Sequence, residues 1–229
     1  MYFSLITPAE GREREAAQQR LEGPYRDHQW IWQMFPAPAG TARDFLFRRH
    51  EVEGLPRYYV VSKRRPESRH KTWQVQVRDY APQVAAGTRL RFELRANPAV
   101  RHSRDGKSSR HDVVMEAKRK MLAERGLSRW ADWNDDARPA LYSIVQQSCG
   151  AWLARRGESL GFAVDADSLV VEAYEQHDEA GRRDLQFTTI DFHGLLTVTD
   201  ADAFAGALLN GIGPAKAFGC GLLLVRRLG

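Results

Sequence analysis

The sequence predicts an α+β protein made of two similar units in tandem, on three observations. Stretches of strand-like alternation are interleaved with a few helical segments. Helix followed by strands occurs once before Asn97-Pro98, behind a first strand, and again after it. A glycine-rich loop followed at once by an apolar run then closes the second pass. With 229 residues the chain is long enough for two cores. The expected division is an N-terminal unit of residues 1–98 and a C-terminal unit of residues 99–229.

In chain order, Tyr2-Phe3-Ser4-Leu5-Ile6 reads as a first strand, closed by Pro8 and Gly11. Helical composition follows over 13–35, interrupted at Gly23-Pro24. Residues 43–48 and 57–62 are strand-like by their aromatic and β-branched content. Residues 72–77 and 88–95 alternate, with charge on one face and apolar side chains on the other. Residues 101–109 are turn-rich and predict an exposed loop, and 112–125 predict a helix with Asp112 as N-cap. Residues 141–156 predict a second long helix with Ile144, Val145, Trp152 and Leu153 on its core face. Strands are expected at 168–174 and 185–192 around a polar turn at 178–183, with 195–198 extending the second or adding another. A short helix at 201–209, capped by Asp200, leads to the glycine loop at 211–221.

Composition excludes several classes. No apolar run reaches the roughly 20 residues of a membrane span, and the N-terminus meets charges too soon for a signal peptide. Cys149 and Cys220 fit no metal spacing. No histidine pair has ligand spacing with a carboxylate, so neither metal nor cofactor is expected. A cytoplasmic setting is the simplest expectation. The chain holds 34 Lys and Arg against 29 Asp and Glu, a net charge of +5. Residues 101–129 contain nine of the basic residues and four of the acidic ones, so this segment alone carries the excess. That concentration points to a polyanion-binding stripe, with Arg101, Arg104, Lys107, Arg110, His111, Lys118 and Arg119 as contacts.

Two stretches can carry chemistry. In the loop, Gly211, Gly213, Gly219 and Gly221 surround Lys216. Glycine permits positive φ and close approach, so exposed N–H groups can face an anion with the lysine beside them. A purely structural turn fits the same glycines. In the first helix Leu21, Tyr25, His28 and Trp32 are spaced to share one stripe, with Trp30, Ile31 and Met34 on the other side. Tyr25 and His28 can act together on one reacting group, since imidazole exchanges protons near neutral pH. They can equally be core-edge residues. His50, His70 and His177 lie among charged, turn-like residues and are expected at the surface, and His193 just after a strand.

The loop Gly211-Ile-Gly-Pro-Ala-Lys-Ala-Phe-Gly-Cys-Gly221-Leu-Leu resembles the C-terminal signature of the CRISPR repeat-processing endoribonucleases of the CasE type. These belong to the RAMP superfamily and to type I-E systems. Pro24-Tyr-Arg-Asp-His28, Leu90-Arg-Phe-Glu-Leu-Arg-Ala-Asn-Pro98 and Ala151-Trp-Leu-Ala-Arg-Arg156 match in order, so the resemblance spans nearly the whole chain. It implies two ferredoxin-like domains and metal-independent cleavage of CRISPR precursor RNA at the base of the repeat hairpin. It implies that the guide RNA stays bound and that the protein joins the other Cascade subunits. It also assigns Tyr25 and His28 as catalytic. Some members add a lysine one turn beyond the histidine, where this chain has Gln33; Arg26 or Lys216 are the cations left to replace it. Residues 116–140 look longer than the family pattern. Two other functions fit the sequence: an RNA-hairpin-binding subunit without activity, and a small-molecule enzyme with a phosphate at the glycine loop.

Overall fold

The structure, a computed structural model, describes residues 1–19, 23–67, 71–104, 107–178 and 186–228. It divides into two compact units. The first comprises Met1–Gln83 with Ala205–Leu223, the second Val84–Phe204 with Leu224–Gly229. Both are α+β with the ferredoxin-like strand order, so the tandem ferredoxin-like class holds.

In the first unit, strand β1 (Tyr2–Pro8) is followed by helices α1 (Glu13–Gln18) and α2 (Pro24–Trp32), then strands β2 (Phe45–Val52), β3 (Leu55–Ser62) and β4 (Trp73–Asp79). The sheet order is β2-β3-β1-β4, antiparallel throughout. Gly23 (φ 83°) and Pro24 at the first helical turn explain the break between the helices. Proline presets the helical φ, and its missing N–H belongs to a turn whose donors have no helical acceptor. Apolar residues of α2, the turn after it and the sheet make one core: Ile6, Trp30, Ile31, Met34, Phe35, Phe45, Phe47, Tyr58, Val60 and Trp73. Trp30 packs at 4.8 Å from Tyr58 and 4.6 Å from Trp73, ring centre to ring centre. Such large side chains contribute most of a small core's stability, at about 25 cal/mol per Å² removed from water.

The second unit contains β5 (Arg89–Ala96), a two-stranded hairpin β6–β7 (Ala99–Arg104 and Lys107–Asp112), helices α3 (Val113–Glu124) and α4 (Leu141–Leu160), strands β8 (Phe162–Val164), β9 (Val170–Asp178) and β10 (Gln186–Val198), and most of β11 (Leu223–Arg227). Its sheet runs β11-β5-β10-β8, with β9 also paired to β10. Helix α5 (Ala201–Asn210) begins in this unit and ends in the first. Asp112 and Asp200 cap α3 and α5 as their positions predict, each accepting two backbone N–H bonds at 2.9–3.0 Å. Trp152 of α4 stacks on Phe192 of β10 and donates its indole N–H to the Ala99 carbonyl at 3.2 Å. Among the described residues, no helix is long and apolar enough to cross a membrane.

Three expectations differ from the structure. The division does not fall at Pro98. The strand at 89–96 alternates buried and exposed as read, but it pairs with β10, Ala96 opposite Ile190 and Arg89 opposite Thr197, and so opens the second unit. Alternation specifies a half-buried strand and leaves its partner open. The segment 101–109 is not a loop but the β6–β7 hairpin, in which Arg101 faces Arg110 across the strands. Its charged and small residues carry no strand signal of their own. His50, His177 and His193 sit within β2, β9 and β10; His177 bonds Thr189 Oγ1 at 2.8 Å and stacks on Phe187. His70, Leu21 and most of the predicted polar turn at 178–183 lie outside the described residues.

Gly161 ends α4 at φ 74°, where an added Cβ would stand 2.4 Å from the Asp200 carbonyl oxygen. Gly161→Ala therefore meets both a left-handed backbone and a clash with main chain. Chemical denaturation should show a loss of more than about 1 kcal/mol; an unchanged midpoint would contradict this packing.

Candidate active site

Helix α2 is held at a fixed rotation. Asp27 is buried and accepts the Tyr58 hydroxyl at 2.7 Å and the Arg49 guanidinium at 3.3–3.4 Å. Trp30 and Ile31 are buried with it. With that side in the core, Tyr25 and His28 come to the helix edge, both half-buried, and Arg26 is exposed. Tyr25 Oη accepts from Gln29 Nε2 at 3.3 Å.

His28 sits among aromatic rings, with centroids of Trp32, Phe45 and Phe218 at 6.2, 6.3 and 6.2 Å. Its Nε2 accepts the Trp32 indole N–H at 3.1 Å. An indole nitrogen can only donate, so the imidazole is neutral there, with its proton on Nδ1. That Nδ1 is buried and has no hydrogen-bond partner. Burial pulls the His28 pKa below its ordinary value, and the Arg43 guanidinium pulls it the same way. The folded chain thus binds this proton less tightly than the unfolded one. The stability contributed is present above about pH 6.5 and is lost as pH falls through the depressed folded value.

Arg43 and Lys216 complete the constellation. Arg43 precedes β2, with its Cζ 6.0 Å from the Phe45 ring centre. Burial lowers the Lys216 pKa, and Arg43 adds to that effect. Lys216 Nζ donates to the Asn210 carbonyl at 2.7 Å, across the start of the loop.

The loop's glycines mostly serve packing. A Cβ on Gly211 would lie 2.9 Å from both the Gly221 carbonyl oxygen and Leu46, and Gly219 rests against Phe47. Ile212 N–H donates to Gly221 O at 2.8 Å and closes the loop. Gly219 and Gly221 are buried, whereas residues 213–218 are half-exposed. In that arc Ala215 is left-handed at φ 57°, and the 3-10 turn Lys216–Phe218 carries the phenyl ring beside His28.

The basic segment 101–129 resolves into parts of the second unit. Arg101 and Arg110 form an exposed cross-strand pair. His102 and His111 lie together at 5.1 Å on the hairpin's other face, and His102 Nε2 meets Glu116 of α3 at 2.9 Å. Lys118 lies over Trp130 at 5.4 Å, and Arg119 is exposed. The backbone of Arg104 and Lys107 is paired, while their side chains lie outside the described residues. Among the described residues no cluster of three or more His, Cys, Asp or Glu could hold a metal ion.

The structure therefore brings His28, Lys216 and Phe218 together, and adds Arg43, Phe45 and the Trp32 indole bond. Sequence reading misses Arg43 and the Asp27 anchor, because both act through contacts with residues distant in the chain. Chemically, the arrangement offers a proton-exchanging imidazole in the field of Arg43, ringed by aromatic side chains, with Lys216 coupled to that guanidinium from the loop.

The family model described as "CRISPR associated protein" matches residues 1–227. The chain is 28% identical over 227 residues to the CRISPR system Cascade subunit CasE of Escherichia coli, covering 97% of this chain and 98% of that one. It is 28% identical over 222 residues to the CRISPR-associated endoribonuclease Cse3 of Thermus thermophilus, covering 92% and 93%. A solved structure of CRISPR endoribonuclease Cse3 bound to a 19-nucleotide RNA superposes with TM-score 0.67 at 25% identity, covering 98% of each chain.

Trp32→Phe removes the donor that favours neutral imidazole. The His28 midpoint in an NMR titration should rise by several tenths to about one pH unit, the worth of one hydrogen bond. A midpoint that stays put would mean that the indole bond has no hold on the ring.

Proposed function

The chain belongs to the CRISPR-associated protein family, and from that premise we propose that it is an endoribonuclease that processes CRISPR precursor RNA. The observation that carries this reading is the His28 imidazole in the field of Arg43, which Lys216 shares from the loop, in a chain similar over 92% of its length to a relative named as an endoribonuclease. Cleavage falls at the base of the repeat hairpin and needs no metal. The guide RNA remains bound, and the protein takes its place in the cytoplasm among the other Cascade subunits.

The 2′-OH upstream of the scissile phosphate attacks phosphorus in line, and the P–O bond to the 5′-oxygen breaks. One proton leaves the 2′-OH and one must reach the 5′-oxygen. The products end in a 2′,3′-cyclic phosphate and a 5′-OH. His28 donates to the leaving oxygen, and Tyr25 is its counterpart or orients the attacking hydroxyl. An unliganded His28 is biased toward its neutral form by burial and by Arg43. Arrival of a phosphate offsets the guanidinium's field and favours the imidazolium, so the acid is charged by its own substrate. Proton transfer accounts for roughly 10²–10⁴-fold, and in-line positioning for much of the rest.

In the second unit, the exposed Arg101 and Arg110 take stem phosphates with Arg104, Lys107, His111, Lys118 and Arg119, reading A-form RNA through its backbone. Near the reacting phosphate, Arg26, Lys216 and the N–H groups around Gly211, Gly213, Gly219 and Gly221 are the remaining candidates. The two buried glycines contribute by shaping the loop.

A second reading, an RNA-hairpin-binding subunit that does not cut, draws on the Trp32 bond that occupies His28 Nε2. One assay separates the two. Labelled repeat RNA in EDTA should be cleaved by the wild-type chain, and His28→Ala should lose at least about 10²-fold in single-turnover rate with hairpin affinity nearly intact. Unchanged cleavage by the variant removes His28 from the chemistry, and a requirement for added metal rejects the reaction class.

The Arg101→Ala/Arg110→Ala double variant should weaken binding across hairpins and reduce the slope of log affinity against log salt by about 1 to 2. Equal affinity and equal slope would place the RNA elsewhere.

A further inference from the structure

Arg43 stands out around the site as a half-buried arginine that no carboxylate among the described residues answers. Its sequence neighbour Asp44 is fully engaged by Arg64, through Nε to Oδ2 at 2.7 Å and Nη2 to Oδ1 at 2.9 Å. Asp27, beneath the same helix as His28, is taken by Arg49 and Tyr58. Among the described residues Arg43 has neither an ion pair nor a hydrogen bond, and its Nη1 is buried with no acceptor. A guanidinium that is partly withdrawn from water without an acceptor is costly unless an anion completes the site. The aromatic face of Phe45 supports the cation from one side and cannot take its N–H groups.

The surroundings say which anion fits. The same Phe45 ring lies 6.3 Å from His28 and 6.0 Å from the Arg43 carbon, and the guanidinium acts on the imidazole through space. Lys216 lies within the field of Arg43 and is itself withdrawn from water, its ammonium held by a carbonyl. A carboxylate from the protein would cancel this charge permanently, and none is supplied among the described residues. A phosphodiester matches better: its two non-bridging oxygens fit the fork of a guanidinium, while a bridging oxygen stays open to the imidazole.

Building on the endoribonuclease reading, we infer that Arg43 is a further catalytic residue, whose guanidinium grips the non-bridging oxygens of the scissile phosphate and stabilises the charge that gathers there as the 2′-oxygen attacks. Lys216 assists from the loop as a positioning residue, holding the end of α5 and adding positive potential. Electrostatic stabilisation of this kind needs donors already aimed where charge develops, which an uncommitted, half-buried guanidinium supplies.

The test has two arms on the full chain. In the first, single-turnover cleavage of repeat RNA is compared for wild type, Arg43→Gln and Arg43→Lys. Arg43→Gln should slow cleavage about 10²–10³-fold, while affinity for a 2′-deoxy hairpin that cannot be cut falls less than about tenfold. Arg43→Lys should recover part of the rate, since it restores charge without the fork. In the second arm, the His28 midpoint is followed by NMR with and without inorganic phosphate. Phosphate should raise the midpoint in wild type and leave Arg43→Gln unmoved, and without phosphate the variant should already titrate higher. Wild-type cleavage matched by Arg43→Gln, or a His28 midpoint indifferent to phosphate in the wild type, overturns the inference. A phosphate response that depends on Arg43, in a chain that does not cut RNA, would keep the anion site and reject the nuclease reading.

Discussion

A carboxylate buried beneath helix α2, Asp27, receives the Tyr58 hydroxyl and the Arg49 guanidinium, and these bonds fix how the helix is turned about its axis. A helix of only nine residues has little stability of its own. Its rotation could otherwise drift by the width of a side chain without much loss of apolar burial. The bonds to Asp27 remove that freedom, because turning the helix would strand a buried charge. Tyr25, His28 and Trp32 are thereby committed to one edge. The placement of that stripe is determined by the residue between Arg26 and His28, on the far side of the helix from solvent.

The second constraint is the close packing of the glycine loop. Gly211 and Gly219 admit Leu46 and Phe47 where a β-carbon would collide or crowd. The loop can then settle onto the strand that also carries Phe45. This brings Phe218 to the imidazole and Lys216 to within the influence of Arg43. Glycines chosen for fit and a lysine chosen for charge are adjacent in sequence but do separate work. Like charges gathered without an acid destabilise the empty protein, a cost that recurs where a site is shaped for an anion.

Much of the fold can be read from the chain. The alternation in 88–95, the proline break at residue 24 and the aspartate caps at 112 and 200 each follow from local rules, and the structure carries all of them. What local rules cannot supply is partnership between distant strands. The pattern of β5 therefore does not say that it pairs with β10, and the β6–β7 hairpin reads as a loop. The site shows the same split. Tyr25 and His28 are found by helical spacing, and Lys216 by its glycines. Arg43 is not: nothing beside it in sequence distinguishes it from Arg48 or Arg49, and its isolation becomes visible only when Asp44 is seen bound to Arg64. Glycine content alone also cannot separate residues that line a surface from those that allow close packing.

The first unit is closed by residues that come late in this sequence, since 205–223 belong with 1–83. A growing polypeptide therefore displays its imidazole long before Lys216 and Phe218 have been made. Domains tend to fold as they emerge, N-terminal part first, yet this one must wait for a segment more than a hundred residues downstream of its own sheet. A chain clipped or stalled ahead of residue 211 would carry helix α2 with Trp32 and Phe45 beside His28 but without Phe218 or Lys216. The discontinuous layout means that Phe218 and Lys216 join the first unit only in molecules whose synthesis has passed the glycine loop.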